Sequence, residues 1–284
     1  MPSQAICEPA AVRDRDVNSG SAASVTGTSG IRTLTTTELS ISFGGHKAVD
    51  GVTCSFEQGT LTAIVGPNGA GKTTYFNLIS GQSRATNGTV HLFGNDLSRL
   101  SACERAKRGI GRAFQLTNLF PRLTVEENIR LAVQSRARLG RNLWSLWSDH
   151  VNLIDEACRI AEQAKLSHRS SHAAATLSHG DQRKLEVAIL MALEPEVYMF
   201  DEPTAGMSVD EVPIVLELIR DLKATRNKII LLVEHKMEVI RSLADRVVVL
   251  HNGTLVADGD PAEMVASSVV QEAYLGKNRR AGGP

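Results

Sequence analysis

From Leu34 onward the chain breaks into short runs in which apolar and polar positions alternate: LTTTELSISF, AVDGVTCSF and LTAIVG. Alternation with a period of two, interrupted by glycines, predicts strands joined by turns. A helical stretch follows Lys72, and another strand covers Thr89–Phe93. Between Thr124 and Leu193 the pattern turns helical. Thr124-Val125-Glu126-Glu127 reads as a capping box that opens TVEENIRLAVQSRARL, a second helix covers Val151–Leu166, and a third begins within LSHGDQRKLEV. Strands and helices then alternate again: VYMF, a helix over Val209–Thr225, IILLVE, a further helix and VVVL. The Asn252-Gly253 turn leads into a last strand, TLVAD.

Strand–helix alternation around near-continuous apolar strands predicts a sheet that is mainly parallel and covered on both faces. The fold class expected is α/β: a mixed, mainly parallel sheet, an antiparallel β subdomain near the N-terminus and an inserted helical subdomain. Residues 34–277 are expected to form one domain. Its core spans 34–113 and 194–262, with a helical subdomain at 114–193 and a helical tail at 263–277. Residues 1–33, rich in Ser, Ala, Thr and Gly and lacking periodicity, read as a disordered leader, and 278–284 as a flexible end.

Composition narrows the function classes. Lys plus Arg and Asp plus Glu both number 31 among 284 residues, so no global field argues for nucleic acid. The cysteines Cys7, Cys54, Cys103 and Cys158 are scattered, which argues for reduced thiols in a cytosolic protein. Apolar runs such as Val187–Leu193 fall short of the about 20 residues that a membrane span needs. Any work at a membrane would need other chains to hold this one there.

The chemistry concentrates at a few places. Gly66-Pro67-Asn68-Gly69-Ala70-Gly71-Lys72-Thr73 satisfies G-x-x-x-x-G-K-[ST] between an apolar strand and a helix. Glycines let the backbone wrap a phosphate, Lys72 reaches the β- and γ-phosphates, and the Thr73 hydroxyl suits Mg²⁺. VYMF runs into Asp201 and Glu202. Adjacent strand residues point to opposite faces, so the two acids are expected to do different jobs: Asp201 holds Mg²⁺ and Glu202 faces the attacking water. Gln115 and His235 each follow a strand at its carboxyl end, where open α/β sheets bind ligands. At the third helix Ser178 can cap and Asp181 can reach back to it. Gly180 between them leaves backbone N–H groups turned outward, an anion site.

With these motifs in order, the chain resembles the ATPase subunit of an ATP-binding cassette (ABC) transporter, from about Leu34 to Lys277. GPNGAGKTT, through Thr74, resembles that family's phosphate loop, Gln115 its Q-loop glutamine beside the metal, and VYMFDE its second acidic motif. His235 matches the switch histidine, and Phe43 falls where the family keeps an aromatic to stack on adenine. LSHGD is similar to the family signature, usually LSGGQ. The resemblance therefore implies that Ser178 and Gly180 bind ATP held by a partner's phosphate loop, and that hydrolysis of the sandwiched nucleotide moves a membrane partner. ATP and Mg²⁺ follow as cofactors.

The departures are His179 for a Gly, Asp181 for the Gln, and Ser208 and Lys236 where an Asp is frequent. None removes a phosphate-, metal- or water-handling group. FQLTNLFPRLTVEENIRLAV, VEHKMEV, DGDPAEMV and EAYLG are similar to ATPases of branched-chain amino-acid uptake, with urea or amide uptake as the alternative. A soluble non-transport cassette protein acting on nucleic acid or ribosomes is a different class, disfavoured by the balanced charge. The resemblance implies integral-membrane permeases as partners and a second ATPase subunit, a mixed pair being favoured over two copies. A solute-binding protein would join indirectly, and the place of work would be the cytoplasmic face of the inner membrane. Leu143–Trp147, with both tryptophans, reads either as packing within the helical subdomain or as a permease contact; packing is favoured.

Overall fold

The computed structural model describes residues 32–113, 119–137 and 151–266. Gln115, Trp144, Trp147, nearly all of the leader and the chain beyond residue 266 lie outside the described residues. Two strands lead, β1 (Thr33–Phe43) and β2 (His46–Glu57), followed by β3 (Leu61–Val65), α1 (Lys72–Ser80), β4 (Asn87–Leu92) and β5 (Asn95–Asp96). Next come α2 (Ala102–Lys107), β6 (Ile110–Ala113), α3 (Val125–Arg136), α4 (Val151–Gln163) and α5 (His179–Leu193). The second half alternates as β7 (Val197–Asp201), α6 (Val212–Ala224), β8 (Ile229–Val233), α7 (Met237–Leu243), β9 (Arg246–His251), β10 (Thr254–Gly259) and α8 (Pro261–Ala266).

Two sheets form. One is antiparallel in the order β2-β1-β4-β5; the other runs β10-β9-β3-β8-β7-β6. In the second, only the β9–β10 pair is antiparallel. Every residue of β3, β7 and β8 is buried, as near-continuous apolar strands in a covered parallel sheet require; the alternation read in LTAIVG leaves no face of β3 exposed. Alternation persists in what each face touches. Tyr198, Phe200, Ile230 and Leu232 pack with α3, α4, α5 and α6, whereas Val197, Met199, Ile229 and Leu231 pack with α1 and the antiparallel sheet.

Local signals account for many boundaries. Asn252 and Gly253 both take positive φ, 49° and 80°, as a tight hairpin turn demands. The capping box at Thr124 forms both of its bonds: Glu127 N–H donates to Thr124 Oγ1 at 3.1 Å, and Thr124 N–H to Glu127 Oε2 at 2.8 Å. At Ser178 only half of the expected box exists. Asp181 N–H donates to Ser178 Oγ at 3.1 Å, but the Asp181 carboxylate turns forward to Lys184 Nζ, 2.8 Å away on the next turn. An ion pair at i,i+3 outcompetes the return to a backbone amide. The helix expected from Val209 starts at Val212, with Pro213 in its first turn, where the missing N–H has no intrahelical role.

The helical subdomain holds a loop in place with one buried amide. Asn128, on α3, accepts from Phe120 N–H at 2.9 Å and donates Nδ2 to Phe120, Leu123 and Thr124 carbonyls at 2.8 to 3.3 Å. Removing it leaves these backbone groups without that partner. Asn128→Ala is expected to cost about 2 kcal/mol in urea-induced unfolding; an unchanged midpoint would show that water replaces the amide.

Candidate functional site

The loop between β3 and α1 is shaped by contacts that exclude a Cβ. At Gly66 (φ 150°) a side chain would run into the Leu250 carbonyl, and at Gly71 (φ 97°) into the Ala48 carbonyl. The loop is tied down further by Gly253 N–H donating to Ala70 O at 3.0 Å. Gly71 caps α1 without a side chain, and no acid stands in the helix's first turn. The first N–H groups of α1 therefore face the loop's concavity, the arrangement that binds a phosphate. Lys72 arches back over it, its Nζ donating to Gly66 O at 2.7 Å and Pro67 O at 3.0 Å. Burial lowers the Lys72 pKa, while Glu202 and Asp201 nearby hold its proton on.

A cleft of about 220 Å³ is lined by residues 68–74 together with His46, Ala48, Glu202 and His235. The fold thus brings Asn68, Gly69, Ala70, Gly71, Lys72, Thr73, Thr74, Glu202 and His235 to one place. A larger cleft of about 550 Å³ lies by Arg241, Asp245 and Asp260, away from these residues. Phe43 stands 56% exposed at the β1–β2 turn, register partner of the cleft-lining His46.

Asp201 ends β7 on the face that carries Val197 and Met199, turned toward α1. Arg112 of β6 reaches it at 2.6 Å; the two side chains are 5% and 0% exposed. Arg112 also donates to Asn77 Oδ1 at 2.7 Å and Gln82 Oε1 at 2.9 Å. Burial raises the Asp201 pKa and Arg112 opposes that rise. The other carboxylate oxygen, Oδ1, is buried with no protein partner. Among the described residues no cluster of three His, Cys, Asp or Glu is placed to cage a metal. One buried carboxylate oxygen beside a threonine-bearing phosphate loop suits Mg²⁺, which takes few protein ligands and completes its shell with water and phosphate.

Simple strand alternation does not explain Glu202. The residue has left the strand: its φ is 51°, and its N–H donates to Val233 O at 2.9 Å. This left-handed backbone, costly for a non-glycine residue, turns the carboxylate into the cleft, where Oε1 meets His235 Nε2 at 2.5 Å. Asp201 and Glu202 point to different places, toward Arg112 and His235, but a turn separates them rather than the pleat.

Ser178 and His179 are exposed at the start of α5, and Ser178 and Gly180 do not line their own chain's cleft. Gly180 is not bare. The Glu211 carboxyl lies directly over it and accepts Ser208 N–H at 3.2 Å and Ser208 Oγ–H at 3.0 Å. His179 rests on Gly206. Sequence reading missed Arg112, His46, Glu211 and Glu234; Arg112 and Glu234 had a signal, standing inside GIGRAFQ and directly before His235.

The ABC transporter family profile matches residues 49–205. The chain is 36% identical over 244 residues to a high-affinity branched-chain amino acid transport ATP-binding protein, LivG, of Salmonella typhimurium, covering 84% of this chain and 96% of that one. BraF of Pseudomonas aeruginosa, described in the same terms, is 35% identical over 245 residues, with 84% and 96% covered. Among solved structures, an ATP-binding cassette of an ABC transporter in its ADP conformation superposes with a TM-score of 0.73 at 27% identity, covering 87% of this chain and all of that one. A nucleotide-free cassette gives 0.74 at 28%, with the same coverage.

Truncating Arg112 leaves Asp201 as a buried, unpaired charge. Arg112→Ala is expected to lower unfolding free energy by about 3–5 kcal/mol, and Arg112→Ala combined with Asp201→Asn by clearly less. Equal losses in chemical denaturation would show that the ion pair is not what Arg112 contributes.

Proposed function

The chain belongs to the ABC transporter family, as an ATP-binding cassette, and from that premise we propose that it hydrolyses ATP to drive a branched-chain amino-acid importer. The observation that carries this reading is the Glu202–His235 pair, facing Lys72 across the phosphate-loop cleft. The named substrates of LivG and BraF favour branched-chain amino acids over urea.

In this scheme the glycine-rich loop and the N–H groups of α1 hold the phosphates, and Lys72 leaves its carbonyl partners for the β- and γ-phosphate oxygens. Thr73, the unpartnered oxygen of Asp201 and Gln115 are the residues that would hold Mg²⁺, whose charge would offset that of the phosphates. Glu202 orients the attacking water and takes its proton. His235 contacts the γ-phosphate and, through Nε2, steadies the Glu202 carboxylate. Phe43 offers its exposed ring to adenine.

Ser178 is exposed and lies away from its own cleft, as does the buried Gly180 beneath Glu211; the exposed helix start supports a role on the ATP of a second cassette. That second cassette is a sister subunit rather than a copy of this chain. Closing and opening of the pair works a permease, to which Phe120, 56% exposed, offers an apolar foothold. No helix among the described residues is long and apolar enough to cross a membrane, and the chain acts peripherally on the cytoplasmic face, its permease reaching the solute-binding protein.

Glu202→Gln is expected to reduce ATP turnover by about 10²-fold or more while ATP binding, followed by equilibrium dialysis, persists. Turnover at the wild-type rate would overturn the general-base role. Lys72→Ala should instead weaken ATP binding itself, and an unchanged affinity would contradict the phosphate-loop assignment. Gentle solubilisation of native membranes should recover permease chains and a second cassette with this one; recovery with ribosomes or DNA instead would sink the transport reading.

A further inference from the structure

One buried carboxylate has no part in the scheme above. Glu234 is 2% exposed at the end of β8, directly before His235. Its two oxygens face different segments. Oε1 accepts from Thr204 Oγ1 at 2.6 Å, and Oε2 accepts the backbone N–H groups of His235 at 3.0 Å and Lys236 at 3.4 Å. Thr204, 1% exposed, lies two residues past Glu202. The bonds therefore close a ring: Glu202 runs along the chain to Thr204, Thr204 to Glu234, Glu234 to the His235 backbone, and His235 Nε2 returns to Glu202 Oε1 at 2.5 Å.

A carboxylate buried in a protein is costly unless its lone pairs are filled. Three donors fill this one, one from each side of the gap between the loops and a further amide from Lys236. Glu202 also holds a left-handed backbone at φ 51°, a conformation that persists only where its surroundings fix it. Two bonds supply that fixing: Glu202 N–H to Val233 O at 2.9 Å on one side, and the Thr204–Glu234 bond on the other.

We propose that Glu234 is a positioning residue for ATP hydrolysis. Through Thr204 it holds the turn that aims Glu202, and through the His235 amide it holds the loop that carries the switch histidine, so the two meet across the cleft. Glu234 acts through these residues and does not itself line the cleft. The inference rests on the assignment of Glu202 and His235 as the pair that handles the reaction.

The test measures kcat, ATP affinity and melting temperature in full-length variants. In Glu234→Ala the loops lose their common anchor, and kcat should fall by about 10²-fold with ATP affinity nearly unchanged, since displacements of about 1 Å cost that much. Glu234→Gln should restore most of the rate. Its carboxamide oxygen can accept the His235 N–H while its NH₂ donates to Thr204 Oγ1. Thr204→Val cuts the same ring from the other side; it should lower kcat and add little to Glu234→Ala in the double variant. If Glu234→Ala does not fold, Thr204→Val decides. A wild-type kcat in either single variant would overturn the proposal. So would loss of affinity and melting temperature in step with kcat without rescue by Glu234→Gln, since that pattern is plain destabilisation. Glu202→Gln separates the two layers: if it still hydrolyses ATP the underlying pair is wrong, and if it is inactive while Glu234→Ala is fully active, only the positioning role fails.

Discussion

The register of β7 against β8 sets what the rest of the site can be. The parallel ladder places Asp201 beside Val233, so both strands end at the same level and the next residues, Glu202 on one and Glu234 and His235 on the other, emerge side by side. A slip of one residue would send every side chain of a strand to the opposite face, and the two faces are packed by different neighbours: helices on one, α1 and the antiparallel sheet on the other. Apolar burial on both sides therefore enforces the register, and the register delivers the polar groups. The same burial of β3 puts the phosphate loop at its carboxyl end, next to these ends.

The site concentrates charge where solvent is scarce, and each charge is handled differently. Asp201 is held by Arg112, which itself reaches three polar groups on and beyond α1. Glu234 is held by one hydroxyl and two backbone N–H groups. Lys72 lies on loop carbonyls with two acids near it. The strain of the Glu202 backbone fits this pattern: structure is spent where a carboxylate must be aimed rather than merely placed.

The start of α5 is exposed at its first residues and covered at the next. Ser178 and His179 are exposed, while Gly180 is covered by Glu211, whose carboxylate also takes the Ser208 N–H and hydroxyl. The loop from Glu202 to Glu211 is thus joined near one end to Glu234 through Thr204 and at the other lies over the first turn of α5. His179 and Asp181, the two departures within LSHGD, are accommodated by contact with Gly206 and an ion pair to Lys184.

What the sequence determined by itself was local or periodic. Gly66 to Thr74 form one continuous loop and helix start, so their chemistry needs no distant partner to be recognised. The apolar runs of β3, β7 and β8, the Asn252-Gly253 turn and the capping box at Thr124 likewise carry their reasons within a few residues. The tertiary structure alone decided pairings across long separations: Arg112 with Asp201, Glu202 with His235 at the contact level, Thr204 with Glu234, Glu211 over Gly180. It also decided against the Asp181 return bond, because Lys184 was nearer, and replaced strand pleating by a left-handed turn as the reason Glu202 points where it does. A side chain's partner depends on which strand ends share a level, which is fixed by sheet order and burial; local spacing cannot encode it.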